Sequence, residues 1–210
     1  MKIVEPGFEI LSPVNEAGEL DADKMLSLIE RAGRTCYKSE ERIKPGTAER
    51  FVRMVIDRGH ESVLEHASIS VLFVIDRGVS HELVRHRLCA FSQESTRYCN
   101  YGKTDVSFVR PYFFDAPERA RELELWATAM GQAEAAYLLL LEAGAKPEEA
   151  RSVLPNSLKT EIVVTANLRE WRHILKLRAS PKAHPQMQQV MRGLGAALAL
   201  ALPCVFEGPA

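Results

Sequence analysis

The sequence predicts a helix-rich α+β fold in a single domain that spans residues 1–210. Several segments repeat apolar residues with a helical period, and only a few short segments are rich in β-branched residues. Strands and helices do not alternate regularly, which argues against a parallel Rossmann-type sheet. With 46% hydrophobic and 26% charged residues, the chain has the composition of a globular protein that can bury a core.

Seven segments carry the apolar spacing of amphipathic helices. The clearest boundaries are those of residues 44–59, where Thr47 suits the cap, Phe51 and Val55 form the apolar stripe, and Gly59 suits the end. The predicted helices are residues 21–38, 44–59, 79–88, 116–145, 146–155, 168–178 and 184–202. Ser80 is the candidate cap of the third helix.

Three segments are predicted to be strands, and two of them are rich in β-branched residues. The stretch "HASISVLFVI" alternates apolar and polar residues at its start, and "TEIVVTAN" is β-branched through its centre. The predicted strands are residues 66–75, 106–113 and 160–167. Together with the seven helices they account for most of the chain.

Composition excludes several classes of protein. The net charge is −1, so the chain as a whole does not attract nucleic acid or a membrane surface. No segment approaches the roughly 20 apolar residues of a membrane span, and the N-terminus lacks the apolar run of a signal peptide. The longest apolar run, residues 194–206, is predicted to be a buried or interface helix. Four scattered cysteines without a C-x-x-C motif indicate reduced thiols in a cytoplasmic protein.

The segment "RHRLCAFSQESTRY", residues 85–98, concentrates polar chemistry. Between Arg85 and Arg110 there are five Lys or Arg residues against two Asp or Glu residues, in a chain that is otherwise slightly acidic. Arginine forks bind phosphate, and Ser, Thr and Gln side chains suit sugar hydroxyls and base edges. The segment therefore indicates a phosphorylated small molecule. The alternative is a solvated basic helix end followed by a polar loop.

Two histidines in "GHESVLEH", residues 59–66, raise the question of zinc. His60 and His66 are six residues apart, which places them about 240° apart on a helix, unlike the one-face pair of a zinc helix. A turn that leads into the following strand is the favoured interpretation for His66. His60, with Ser62, remains a candidate ligand-binding residue.

The segment "NLREWRHILKLR", residues 167–178, combines a polar set with an apolar stripe. Its arginines and Lys176 could instead solvate the outer face of a helix, and Arg178 at the helix end would interact favourably with the helix dipole. Arg151, in "ARSVLP", could likewise pair with Glu148 three residues earlier. The candidate polar residues of the segment are Asn167, Arg169, His173 and Arg178.

The motifs that this sequence lacks argue against a hydrolase and against a glycine-rich nucleotide-binding loop. Ser95 lies in no G-x-S-x-G element, so a hydrolase nucleophile is unsupported. There is no P-loop and no G-x-G-x-x-G element, so arginines and loop donors would hold a nucleotide.

The element "RHRLCAFSQES" fits the pattern RHR-x7-S and resembles the signature of the flavin-dependent thymidylate synthases, the ThyX type. "GHESVLEH", "ARSVLP" and "NLREWRHILKLR" resemble three further elements of that family, in the same order along the chain. Many members carry Ser, Asn and Glu where this sequence has Ala90, Ser92 and Gln93. Gln93 keeps hydrogen-bonding capacity but removes the charge of a carboxylate.

The resemblance implies an α+β fold with a small antiparallel sheet and a specific reaction. The family methylates dUMP to dTMP, with 5,10-methylenetetrahydrofolate as the carbon donor, reduced FAD as the hydride donor and NADPH as the reductant of the flavin. It implies a homotetramer with active sites shared between subunits, with no metal, nucleic acid or membrane partner. Two alternatives remain: a flavoprotein of the family with an altered substrate, and a small RNA-binding module that uses the basic segment.

The resemblance also implies site residues at matching positions. Those expected to bind FAD are Ser62, Arg85, His86, Arg87, Gln93, Asn167, Leu168, Arg169 and His173. Those expected to bind dUMP are Glu82, Leu83, Val84, Arg85, Gln93, Glu94, Ser95, Thr96, Arg97, Arg151 and Arg178. His60 is expected near both ligands.

Catalysis in this interpretation depends on Arg178. Carbon 5 of uracil is a poor nucleophile until negative charge on the ring is stabilised, and Arg178 can supply that stabilisation at N3 and O4 without accepting a proton. Ser95 has no evident general base beside it, so it is interpreted as an orienting or phosphate-binding hydroxyl and not as a nucleophile.

Overall fold

The computed structural model describes residues 1–207 and is 53% helical. Its α-helices are α1 (Ala22–Thr35), α2 (Thr47–Asp57), α3 (Arg77–Leu83), α4 (Ala120–Glu142), α5 (Pro147–Ala150), α6 (Leu168–Arg178), α7 (Pro185–Ala201) and α8 (Pro203–Phe206). Its strands are β1 (Lys2–Val4), β2 (Gly7–Ser12), β3 (Ser68–Asp76), β4 (Ala90–Gln93), β5 (Ser107–Val109) and β6 (Lys159–Asn167). The predicted helix-rich α+β class is confirmed.

The chain divides into two compact units, each assembled from three segments. Unit 1 contains Met1–Gly7, Phe73–Arg85 and Ser92–Ile162. Unit 2 contains Phe8–Leu72, His86–Phe91 and the residues from Val163 onward. The single domain expected for residues 1–210 stays a prediction, and its last three residues lie outside the described range.

The larger sheet has the strand order β2-β3-β6-β4. Within unit 2 the amide of Leu168 donates to the carbonyl of Ala67 at 2.9 Å, and within unit 1 the amide of Arg77 donates to that of Leu158 at 3.0 Å. As the residue number rises on β3 its partner's number falls on β6, so the two strands are antiparallel. Strands β1 and β5 form a separate parallel pair.

The helix predicted at residues 79–88 is wrong at both ends. Asp76, not Ser80, caps α3, and its Oδ1 accepts from the amide of Val79 at 2.7 Å. The helix ends at Leu83, so Arg85 and the residues that follow lie in turns. The aspartate side chain accepts from an amide of the first turn, whereas the Ser80 hydroxyl donates to the carbonyl of Arg77 and therefore does not cap the helix.

Three strands were not predicted, β1, β2 and β4. In α2, Thr47 is the first helical residue, and Gly46, with φ of +81°, occupies the cap position. The predicted terminator Gly59 does adopt a left-handed conformation, with φ of +71°. The predicted boundaries of α6 agree with the structure at both ends.

Each unit has its own buried apolar residues. In unit 1, the Tyr137 hydroxyl lies in the core and accepts from the amide of Tyr101 at 3.2 Å. In unit 2, the fully buried Trp171 donates from Nε1 to the carbonyl of Ile69 at 3.0 Å. The core of unit 1 is formed by Tyr101, Val106, Phe108, Met130, Tyr137, Ala150 and Leu158.

The apolar C-terminal segment is buried along one face of α7, including Leu194 and Leu198, whereas Leu200 is 87% exposed. No helix within residues 1–207 is long and apolar enough to cross a membrane. Cys36, Cys89 and the other two cysteines are free thiols.

Gln93 connects β4 to two buried hydroxyls of unit 1. Its Nε2 donates to Ser80 Oγ at 2.9 Å and to Thr160 Oγ1 at 3.2 Å. Ser80 Oγ gives its own hydrogen to the carbonyl of Arg77 at 3.0 Å, so it can only accept from residue 93. Both hydroxyl residues are 0% exposed, which excludes water as a substitute partner. The site therefore requires a donor at position 93, and an amide provides one.

We expect Gln93→Glu to destabilise the protein by about 1–3 kcal/mol at neutral pH, because a carboxylate has no hydrogen for Ser80 and leaves a buried acceptor unpaired. The measurement is the free energy of unfolding in urea. Ser92→Asn, at the exposed neighbouring position, is the matched control and should change that free energy by less than about 0.5 kcal/mol. The cost of Gln93→Glu should decrease in mildly acidic buffer, where a protonated carboxyl regains a donor. Equal stability of the variant and the parent at neutral pH would contradict the required direction of this hydrogen bond.

Candidate active site

Within unit 2, the end of α6 contacts His86. This histidine is the central residue of "RHR", residues 85–87, here called the arginine–histidine segment. Arg178 is the last residue of α6, and its Nε donates to His86 Nε2 at 2.9 Å. A guanidinium has no acceptor, so His86 Nε2 must carry a lone pair and the ring proton of the neutral imidazole must be on Nδ1. That nitrogen lies 3.4 Å from Oε1 of Glu170, a buried carboxylate in the first turn of α6.

The environment keeps His86 uncharged. Burial lowers its pKa to about 4, and the positive charge of Arg178 and the proximity of His173 act in the same direction. The ring is therefore neutral at physiological pH, and it holds Arg178 without adding a second positive charge. The rings of His86 and His173 meet edge to face, with centroids 5.8 Å apart.

The cluster of His86, Glu170 and His173 also has the composition of a metal site. One ligand atom from each lies within 4.8 Å of the others. However, His86 Nε2 already accepts from Arg178, and a divalent cation there would be repelled by the adjacent guanidinium. We therefore assign the cluster to hydrogen bonding. The expected absence of a metal stays a prediction.

The other arginines of α6 are paired and do not simply solvate an outer face. Arg169 contacts Glu65 at 2.6 Å and Arg172 contacts Glu61 at 3.2 Å. Arg172 also donates to the carbonyl of Val205. Both glutamates belong to a 3-10 helix, Glu61–His66, which replaces the predicted turn of "GHESVLEH".

His60 and Ser62, the two candidates in that segment, are both exposed. His60 precedes the 3-10 helix, and its amide donates to the carbonyl of Val55 at 2.8 Å. His66 is exposed at the end of the same short helix. Their side chains are therefore accessible to a ligand.

A cavity of about 1190 Å³ lies within unit 2. Asn167, Arg169 and His173, three of the residues expected to bind FAD, line it. Asn167 Oδ1 caps α6 by accepting from the amide of Glu170 at 2.9 Å, so the side-chain amide hydrogens are its remaining donors. Leu88, 77% exposed, adds apolar surface. Such a mixture of apolar walls and a few directed polar groups is typical of cofactor sites.

Unit 1 contains a group of residues suited to an anion. Arg151 Nη1 donates to Thr96 Oγ1 at 2.9 Å, which brings the "ARSVLP" element to the polar segment. Arg97 Nε lies 3.6 Å from Glu148 Oε2, and both arginines are exposed. The expected alternative pairing of Arg151 with Glu148 is wrong, because Glu148 pairs with Arg97 and Arg151 contacts Thr96.

Ser95 belongs to a turn that positions this group. Its Oγ accepts from the amide of Arg97 at 3.3 Å, and its carbonyl accepts from the amides of Tyr98 and Cys99. A hydroxyl that accepts from an amide and has no base beside it is not activated as a nucleophile. The geometry agrees with an orienting hydroxyl.

The Glu94 carboxylate accepts hydrogen bonds from three groups that the sequence did not predict as its partners. Its carboxylate accepts from the Tyr101 hydroxyl at 2.8 Å, from Lys159 Nζ at 3.3 Å and from the amide of Glu161 at 3.2 Å. Burial and the hydrogen bond to Glu94 raise the pKa of Tyr101. The carboxylate already has three donors, and it lines a cavity of about 330 Å³ in unit 1.

The two groups of expected site residues separate by unit. All residues expected to bind dUMP lie in unit 1 except Arg178, whereas seven of the nine expected to bind FAD lie in unit 2. Leu83 and Leu168 are 0% exposed, so neither residue presents surface to a ligand in this structure, and their expected ligand contacts stay predictions. Of the remaining residues, Glu82 and Val84 are half-buried, and Arg85 and Arg87 are exposed.

Glu170 is the polar residue that sequence reasoning missed. It is the third residue after the cap Asn167, where a glutamate usually indicates a capping box. In the structure its side chain instead contacts His86, and only 7% of the residue is exposed. In the sequence, the sign of this role was a carboxylate three residues before His173 on the same predicted helix.

Comparison with known proteins places this geometry in a family. Residues 20–204 match the family model described as "Thymidylate synthase complementing protein". A flavin-dependent thymidylate synthase of Mycolicibacterium vanbaalenii is 38% identical over 95% of this chain and 85% of its own. The corresponding protein of Mycobacterium tuberculosis is 36% identical over 94% of this chain and 85% of its own.

A solved structure resembles the whole chain. The UMP/dUMP methylase PolB from Streptomyces cacaoi, bound with 5-Br dUMP, has a TM-score of 0.77 and 24% identity, covering 99% of this chain and 96% of its own. At that identity the similarity establishes the fold. Because the family model covers most of the sequence and the relatives match nearly all of it, the chain belongs to the flavin-dependent thymidylate synthase family.

Proposed function

We propose that this protein methylates dUMP to dTMP, with 5,10-methylenetetrahydrofolate as the carbon donor and FAD as the cofactor. The observation that carries the proposal is Arg178, whose guanidinium is held by the uncharged ring of His86. That partner fixes the direction of the side chain without cancelling its positive charge. A permanent, oriented positive charge is what stabilises negative charge that develops on a pyrimidine.

FAD supplies the hydride in this reaction, and the chain has residues suited to hold it. The cavity of unit 2 exceeds the roughly 300–1,000 Å³ typical of small-molecule sites. Asn167 offers amide donors, His173 an aromatic ring, and Arg169 a cation for a phosphate. The expected contributions of the other FAD residues, among them Arg85 and Arg87, remain part of the proposal.

The dUMP phosphate would be bound by the anion group of unit 1. Arg97 and Arg151 provide exposed guanidiniums, and the Ser95 and Thr96 hydroxyls lie on the same segment. Ser95 would orient the nucleotide, and Arg178 would stabilise charge on the uracil so that carbon 5 becomes nucleophilic. His60 would lie near both ligands.

UMP is a second candidate substrate. The structural neighbour from Streptomyces cacaoi is named a UMP/dUMP methylase, and this chain departs from the common family pattern at Ala90, Ser92 and Gln93. Either nucleotide offers the same uracil and phosphate to the residues above. Measuring kcat/KM for dUMP and UMP side by side decides between the two substrates.

The remaining parts of the proposal concern context. NADPH would reduce the flavin, and the enzyme would be a homotetramer whose active sites combine residues from different subunits. Large ligands are more easily enclosed by surfaces that meet in a closed oligomer than by one small chain. A cytoplasmic location stays a prediction.

We expect the purified protein to take up FAD and become yellow, and anaerobic NADPH to bleach it. With methylenetetrahydrofolate and dUMP present, dTMP should form, and omission of either should stop it. Flavin absorbance and product chromatography are the measurements. A protein that ignores FAD, yet binds RNA with an affinity that decreases steeply with salt, would support the RNA-binding alternative instead.

We expect Arg178→Ala to lower kcat at saturating dUMP by about 10²-fold or more, as for other groups that stabilise transition-state charge. Flavin reduction by NADPH should persist, because it does not involve the uracil. Arg178→Lys should recover only part of the rate, since an ammonium lacks the planar fork. Arg50→Ala, at an exposed position of α2, is the control and should retain the parent rate. Unchanged turnover of Arg178→Ala would contradict the role.

We expect inactive Arg178→Ala and inactive Arg97→Ala to complement each other when they are dissociated, mixed and reassembled. If different subunits supply these two residues, about one quarter of the mixed sites contain both wild-type side chains. The measurement is dTMP formation by confirmed mixed tetramers, with each variant reassembled alone as the control. No recovered turnover would indicate that one chain supplies both residues, and a fully active monomer would exclude shared sites.

A further inference from the structure

Glu170 has a position that neither the family motif nor the expected ligand contacts account for. It is only 7% exposed, and its Oε1 lies 3.4 Å from His86 Nδ1. It is also close enough to Cys89 to contribute, after burial, to raising the pKa of that thiol to about 12. The carboxylate therefore lies beside His86 and Cys89, at the wall of the unit 2 cavity.

The contacts of His86 form a directed series within unit 2. Arg178 Nε donates to His86 Nε2 at 2.9 Å, and this bond exists only when the ring proton is on Nδ1. A proton on Nδ1 needs an acceptor, and the Glu170 carboxylate is placed to receive it. Histidine tautomers are commonly fixed in this way, by the partner of the second nitrogen.

Helix α6 supplies both ends of this series. Glu170, His173 and Arg178 lie within an arc of about 140° on one side of the helix. The amide of Glu170 is held by the cap residue Asn167 at 2.9 Å, so the start of the helix is fixed where the carboxylate emerges. Helix α6 thus positions both partners of His86, the acceptor Glu170 and the donor Arg178.

We propose that Glu170 is a positioning residue: its carboxylate holds His86 in the tautomer protonated on Nδ1, so that Nε2 accepts from Arg178 and orients its guanidinium. Glu170 lies in the wall of the unit 2 cavity, and its proposed effect on Arg178 passes through His86. The catalytic consequence rests on the function proposed above for Arg178. The effect on the His86 ring does not, and it can be measured separately.

The test combines imidazole nitrogen signals with turnover. In protein labelled with nitrogen-15 histidine, His86 should show a protonated Nδ1 and an unprotonated Nε2 in the parent. Glu170→Ala should shift the proton towards Nε2 and alter the Arg178 Nε–H signal. Glu170→Gln, which keeps a carbonyl acceptor, should retain the parent tautomer in part. A purely structural role for Glu170 would change none of these signals in folded protein.

We expect kcat to decrease in the variants in which the tautomer of His86 changes. At saturating dUMP we expect kcat to fall about tenfold in Glu170→Gln and about a hundredfold in Glu170→Ala, the range typical of carboxylates that orient a functional histidine, with little change in KM. Flavin reduction by NADPH should be unaffected. Glu41→Gln, which removes an exposed carboxylate paired with Arg42 in the same unit, is the control and should match the parent in both measurements.

Each outcome separates the role of Glu170 from the proposed function. A parent tautomer that persists in folded Glu170→Ala overturns the proposal. A shifted tautomer with unchanged kcat overturns the link to Arg178. If the parent enzyme does not methylate dUMP, the proposed function fails, while the His86 and Arg178 signals still decide whether Glu170 orients them. If Glu170→Ala does not fold, Glu170→Gln decides: a partial shift of the proton towards Nε2 supports the proposal, and an unchanged parent tautomer overturns it.

Discussion

A guanidinium can only donate hydrogen bonds, and that limitation determines the arrangement of polar groups around α6. Because Arg178 donates to His86, the ring must be neutral and protonated on the opposite nitrogen. That state is stable because the ring is buried beside a positive charge. Protonation of His86 below about pH 4 would remove the acceptor and place two cations in contact, so the interaction holds throughout the neutral range.

The sequence predicted those parts of the fold that depend on local signals. The boundaries of α6 were correct because a strand ends at Asn167, a strong cap, and the apolar period continues to Arg178. Strands β1 and β4 were missed because they are only three and four residues long, and β2 because its sequence GFEILS contains a single β-branched residue, in contrast to the nine-residue β3 and β6. The third helix was misplaced since Ser80 was taken as its cap and Asp76 was left outside both the predicted strand and the predicted helix, although the aspartate ends the strand and caps the helix.

The candidate site was predicted in residue type but not in connectivity. Motif spacing identified Arg151 and Arg178, whereas their partners, Thr96 and His86, lie 55 and 92 residues away. No local pattern encodes such contacts, because they depend on how strands and helices pack. Glu170 was missed for a related reason, because only the packed structure brings its carboxylate to His86.

The direction of the hydrogen bond at Ser80 has a consequence for how this sequence can evolve. Since Ser80 gives its hydrogen to the carbonyl of Arg77, a carboxylate at position 93 meets an acceptor that cannot turn towards it. A lineage would first have to replace or redirect the hydroxyl of Ser80 before the charged residue common elsewhere in the family became tolerable. Positions 80 and 93 are therefore epistatic, because the direction of the Ser80 hydrogen bond determines which residues position 93 tolerates.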